Sequence, residues 1–130
     1  MEVNQKSKLI FEEESYLIRG AVFEVYKEMG CGFLEAIYQE CLLREFQLRG
    51  IPYVRHPQLE VAYKGNPLPL TYVPDFICYD TIILELKSVK TLAPEHIAQL
   101  MNYLKITNKK LGFLINFGSH PQVQIERIVY

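Results

Sequence analysis

Residues 73–87, VPDFICYDTIILELK, constrain this chain more than any other stretch. They read as two short strands joined by a tight turn, the first carrying Pro74-Asp75 and the second Glu85-Leu86-Lys87. Alternate side chains of a strand share a face, so Glu85 and Lys87 point into one layer while Leu84 and Leu86 point into the other. A three-residue turn over Tyr79 to Thr81 sets Asp75 directly opposite Glu85, with Cβ atoms roughly 4.5–5.5 Å apart. Two carboxylates so placed repel each other. A divalent cation between them is one way to offset that repulsion, since Mg²⁺ is commonly held by one or two carboxylates plus waters and phosphate oxygens. The plainer alternative is a solvated sheet face. Glu-x-Lys is a common tripeptide, so the neighbouring features decide.

Ahead of this hairpin, residues 1 to about 8 read as a frayed tail. From Glu12 to Met29, Leu17, Ile18, Ala21, Val22, Val25, Tyr26 and Met29 form one helical stripe. Gly30 and Gly32 break it. A second helix is expected from about Phe33 to Leu48, with a buried stripe of Leu34, Ile37, Tyr38, Cys41, Leu42 and Phe46. Gly50 suits its cap, and Pro52 prevents continuation. Glu35 falls in its first turn, where the helix dipole favours a carboxylate. Leu59 to Lys64 reads as a strand, Gly65-Asn66-Pro67 as a turn, and Leu70 to Cys78 as the first hairpin strand. Pro74 is awkward inside it, because proline removes a ladder donor and belongs at edges or bulges; a bulge there would re-aim Asp75.

A third helix is predicted over Pro94 to Thr107, with Ile97, Leu100, Met101 and Leu104 as its core stripe. Gln99 and Tyr103, four residues apart, share a neighbouring face. Leu111 to Phe117 reads as a strand buried on both faces, and Gln124 to Tyr130 as an edge strand. The order from the second helix is α-β-β-β-α-β. A right-handed parallel crossover then predicts a mixed sheet with helices on both faces.

At 130 residues, 49% of them apolar, the chain is expected to form one domain over 1–130 with a real core. A net charge of −1 gives no polyelectrolyte signature, so any grip on phosphates would rest on a local patch drawn from Lys87, Lys90, Lys105, Lys109 and Lys110, with Lys109 and Lys110 reading first as a solvated helix end and strand end. No apolar run reaches the roughly 20 residues needed to span a bilayer, and the amino terminus lacks a signal-peptide core. Cys31, Cys41 and Cys78 show no metal-ligand spacing and read as reduced, mostly buried thiols of a cytoplasmic protein. His56, His96 and His120 share no ligand spacing either.

Gathered together, Glu35, Asp75, Glu85-x-Lys87 and Gln99-x-x-x-Tyr103 resemble the PD-(D/E)XK nuclease superfamily. Pro74-Asp75 followed by Glu85-Leu86-Lys87 matches its signature, and the αβββαβ order matches its core. Gln99 and Tyr103 are similar to the QxxxY helix motif of its recombination-exonuclease branch. Gly32-Phe33-Leu34-Glu35-Ala36-Ile37-Tyr38 looks like the motif of the GxxExxY family, a small-protein branch. Gln99 to Leu104 and Gly112 to Gly118 look like that family's later blocks. The resemblance covers about residues 15–130. It implies a three-layer α/β/α restriction-endonuclease-like fold of the α+β kind, with an added N-terminal helix.

The resemblance further implies a Mg²⁺- or Mn²⁺-dependent nuclease acting on DNA in preference to RNA. Asp75, Glu85, Glu35 and the Leu86 carbonyl are the expected metal ligands. Lys87 is expected at the attacking water or the developing charge, with Gln99 and Tyr103 positioning the site or the nucleic-acid backbone. The alternatives remain open at this stage: a Glu85–Lys87 surface pair, a core role for Tyr103, a surface amide for Gln99. A second class is a non-catalytic module of the same fold that binds nucleic acid or protein, with a homodimer or protein partner supplying the grip.

Overall fold

The computed structural model describes residues 10–130; the expected tail over residues 1–8 lies outside them. Helix α1 spans Glu12–Met29, α2 spans Glu35–Arg49 and α3 spans Pro94–Thr107. The strands are β1 (Tyr53–Arg55), β2 (Leu59–Tyr63), β3 (Asn66–Tyr72), β4 (Phe76–Cys78), β5 (Ile82–Lys87), β6 (Leu111–Asn116) and β7 (Gln124–Val129). Five of them form a mixed sheet in the order β1-β4-β5-β6-β7, and β2 and β3 pair separately. Within the mixed sheet β5 and β6 are parallel, with α3 as the crossover between them; its other neighbours are antiparallel.

Alternation along β5 assigns the layers. Leu84 and Leu86 face α1 and α2, where Ile18, Val22, Tyr38, Leu42 and Phe46 pack with Phe76, Phe113 and Ile115. Ile83 faces the opposite layer, where Leu100 and Leu104 of α3 join Val61 and Tyr72 of the small β2–β3 sheet. All six residues of β6 are buried, as expected of a strand covered on both faces. Gly112 lets α3 come close: a Cβ there would stand 3.2 Å from Leu100. No described helix is long and apolar enough to cross a membrane.

Several expectations need correction. Residues 70–78 are not one strand. The chain leaves β3 after Tyr72, bends through Val73-Pro74-Asp75, and re-enters the main sheet as the three-residue β4. Pro74 has no N–H to give a ladder, so the strand breaks there rather than bulging. The preceding turn is Lys64-Gly65, both with positive φ (51° and 79°), so Asn66 and Pro67 already pair with Tyr63 and Ala62. Strand β1 was not expected. Helix α2 begins at Glu35, and Leu34 and Ile37 are exposed instead of buried, as are Leu17 and Met101. Of the cysteines only Cys78 is buried.

Candidate active site

The site lies where β4 stops and β5 continues. The pairs Phe76↔Leu84, Ile77↔Ile83 and Cys78↔Ile82 fix a register that, extended by one residue, sets Asp75 opposite Glu85. The turn is Tyr79 to Thr81, with Tyr79 and Asp80 at φ 54° and 59°. One step further, Leu86 falls opposite Pro74, which has no N–H. The Asp75 side chain takes the place of the missing strand: its Oδ2 accepts the Leu86 N–H at 2.6 Å, and its Oδ1 accepts from Gln39 Nε2 at 2.7 Å. Two residues along the same edge, the Ser88 N–H donates to Glu35 Oε2 at 3.3 Å. Successive backbone groups on one strand edge run N–H, C=O, N–H. The Leu86 carbonyl therefore lies between the groups bound by Asp75 and Glu35.

Glu85 is half-buried on the α3 side of the sheet. Its Oε2 accepts from the Tyr72 hydroxyl, 2.5 Å away, and the Tyr72 ring stacks on Tyr103 at 3.8 Å between centroids and 4° between planes. Burial pushes the Glu85 carboxyl up to about 7; the Tyr72 hydrogen bond pulls it down, and the adjacent Asp75 charge pushes it up. Tyr72 is raised above the ordinary tyrosine range, by burial first and then by Glu85. Lys87 is partly buried on the same strand face as Glu85. The only ion pairs among the described residues are Arg49–Glu45 and Arg55–Glu40, so no basic side chain neutralises Asp75 or Glu85 and no Glu85–Lys87 pair forms.

Glu35, Asp75, Glu85 and the Leu86 backbone are thus brought to one strand end. Tyr103 reaches that end through Tyr72, whereas Gln99, one turn earlier on α3, is exposed. Lys109 and Lys110 lie at the other end of the sheet, where Lys109 Nζ contacts the Asp80 carbonyl, and so leave the phosphate-facing patch. His96 caps α3 by accepting the Ala93 N–H.

Sequence reasoning missed Gln39 and Tyr72. Gln39 sits one helical turn after Glu35, a spacing that could have exposed it; Tyr72 was hidden by reading 70–78 as one strand. His56 was set aside, yet its N–H donates to the Asp75 carbonyl at 2.9 Å and its ring meets Gln39 Oε1 at 3.1 Å. Asn116 was read as part of the Gly112 to Gly118 block, and its role is specific. Fully buried, its Oδ1 accepts the N–H groups of Val89 and Gly118, and its Nδ2 donates to the Val89 carbonyl, fixing the loop that follows Lys87.

Among the described residues no three His, Cys, Asp or Glu side chains form a ready-made metal cage. The donors present are two close carboxylates without a cationic partner, with a backbone carbonyl and a third carboxylate on the same edge. That set suits a hard, well-hydrated dication, which needs few protein oxygens. A larger hollow of about 1020 Å³ between α1 and β7, lined by Tyr16, Arg19, Phe23 and Arg127, includes none of these groups.

Residues 12–128 match the family model of the PD-(D/E)XK nuclease superfamily, and the chain belongs to that superfamily. No curated protein matches the sequence. Among solved structures, the crystal structure of SSO0001 superposes with a TM-score of 0.55 at 16% identity, over 95% of this chain and 61% of that one. An alkaline exonuclease (LHK-Exo) from Laribacter hongkongensis gives 0.47 at 14% identity, over 67% of this chain and 51% of that one. The chain spans roughly half to three-fifths of these two proteins' lengths. The SSO0001 likeness is one of fold: a restriction-endonuclease-like sheet with helices on both faces.

Proposed function

We propose that this chain is a metal-dependent nuclease of the GxxExxY branch, hydrolysing phosphodiester bonds of nucleic acid, with DNA preferred over RNA. The observation that carries the reading is the Asp75–Glu85 pair, close together without a cationic partner among the described residues, at the open end of β5. Mg²⁺ or Mn²⁺ would be held by Asp75, Glu85 and the Leu86 carbonyl, with Glu35 bound directly or through water. Such an ion, when bound, lowers the pKa of a water and neutralises phosphate oxygens.

The remaining work falls to the chain. Gln39 and the Leu86 N–H hold both Asp75 oxygens, fixing that carboxylate's orientation. Tyr72, backed by Tyr103, does the same for Glu85. Lys87 projects from the Glu85 face to orient the attacking water and to offset charge developing on the phosphate. Gln99, exposed on α3, is left to meet the nucleic-acid backbone.

The test is purified protein with Mg²⁺ or Mn²⁺ against single-stranded, double-stranded and branched DNA and against RNA, beside a Lys87→Ala preparation. Cleavage by the parent and a loss of about 100-fold or more in Lys87→Ala is the expected result. Equal cleavage by both preparations would assign the activity to a contaminant. The near-neutral net charge favours a second reading, a non-catalytic binding module that borrows grip from a homodimer or protein partner. Binding of oligonucleotide without cleavage at any metal concentration would select it.

A further inference from the structure

Immediately before Glu35 the chain exposes large apolar side chains. Phe33 is 42% exposed and Leu34 75%, with Ile37 a turn later at 39%. They are not loose. The Phe33 N–H donates to the Tyr38 hydroxyl, and its carbonyl accepts from Ser88 Oγ at 2.6 Å. Its ring meets Tyr38 edge-on at 6.0 Å, and Tyr38 is itself fully buried and stacked on Phe117 at 4.4 Å. Phe33 is therefore an exposed aromatic ring in a fixed orientation. It lines a cleft of about 610 Å³ with Leu34, Glu35, Ser88, Lys90 and Gly118. The cleft is continuous with the carboxylate edge, because Glu35 and Ser88 belong to both. Apolar surface gathered beside charged groups marks a contact surface. Lys90, exposed on its rim, supplies a positive charge for a phosphate.

We propose that Phe33, with Leu34, forms a shelf on which an unpaired nucleobase stacks next to the phosphodiester to be cut, so that the substrate is single-stranded nucleic acid or a frayed end. This rests on the nuclease reading and narrows it. A base inside a duplex has both faces covered by its neighbours, whereas an unpaired base offers a face to an aromatic ring. Such stacking is sequence-tolerant and worth about 1–3 kcal/mol per base, roughly five- to 150-fold in affinity.

The chain contains no tryptophan, so Phe33→Trp places a single indole at the shelf. Its fluorescence is followed in EDTA, where binding is read without cleavage. A short single strand should quench it saturably, while an abasic strand of equal charge and a blunt duplex should leave it unchanged. Phe33→Ala, checked for fold by circular dichroism, should bind the single strand about tenfold more weakly than the parent. Equal quenching by the abasic strand would overturn base stacking, and equal quenching by the duplex would overturn the single-strand assignment. Should the parent cleave single strands while the indole stays unquenched, the shelf falls and the nuclease reading stands. Quenching by single strands with no cleavage by the parent supports the shelf and removes the catalysis.

Discussion

At the scale of single residues, Glu85 carries an opposition between folding and binding. Its carboxyl in the fold, at about 7, lies above the ordinary 4.5. The folded state therefore binds the proton more tightly than the unfolded chain. The associated stability is complete below about pH 4.5 and is lost as pH rises through 7. At about 1.4 kcal/mol per pH unit the ceiling is about 3 kcal/mol, and local relaxation brings the expected figure nearer 1–2. Glu85→Gln keeps an oxygen to accept from Tyr72 and removes the charge. Without metal its melting temperature should hold or rise above the parent's at pH 8, and the two should converge near pH 5. Millimolar Mn²⁺ should stabilise the parent and scarcely move the variant. Equal Mn²⁺ shifts in both proteins would remove Glu85 from the ligand set. The opposition of Asp75 and Glu85 was legible because period-2 alternation and turn length fix register. Gln39 was not, because it lies on a helix outside the hairpin. Tyr72 was not, because the hairpin strand was read straight through it although it ends a separate strand.

At the scale of elements, α1 and α3 were readable from their apolar spacing and punctuation, and both occupy the residues expected of them. Helix α2 was readable in extent and in the face that Tyr38, Leu42 and Phe46 bury, but not at its amino end. Leu34 and Ile37 continue its apolar stripe in sequence, yet they fall beyond the edge of the layer they were expected to join. The break at Pro74 was visible as a difficulty and misread as a bulge, since nothing local says that β3 departs to pair with β2. The loop after β5 depends on β6 in a way no local signal carries. A Cβ on Gly118 would lie 2.4 Å from the Val89 carbonyl oxygen and 2.8 Å from the Ser88 carbonyl carbon. Those are backbone atoms, already clamped by Asn116, and cannot swing aside. Gly118→Ala should cost about 3 kcal/mol, roughly 10 °C in melting temperature, and should blunt the Mn²⁺ shift by displacing Ser88 from Glu35. A melt within 2 °C or so of the parent's would show that the loop yields more easily than its contacts suggest.

At the scale of the whole molecule, the element order predicted the layered fold, but β1 escaped notice, being three residues long and flanked by Pro52 and Pro57. Because β4 is equally short, β5 is left without a strand on its β4 side over its last residues, although β6 still pairs with the other edge. A strand end with free N–H and C=O groups is an invitation to another chain, and self-association through such edges is a standing hazard of sheets. Here the invitation is withdrawn by the side chains proposed to bind metal: Asp75 occupies the Leu86 N–H and Glu35 the Ser88 N–H. Replacing both with alanine should therefore make the protein sticky as well as inactive, with light scattering rising on mild warming before the fold melts. The Asp75→Asn, Glu35→Gln pair, whose amide oxygens still accept those N–H groups, should stay monodisperse. The acidic residues at this edge then keep copies of the chain apart, a duty that persists whether or not any substrate is present.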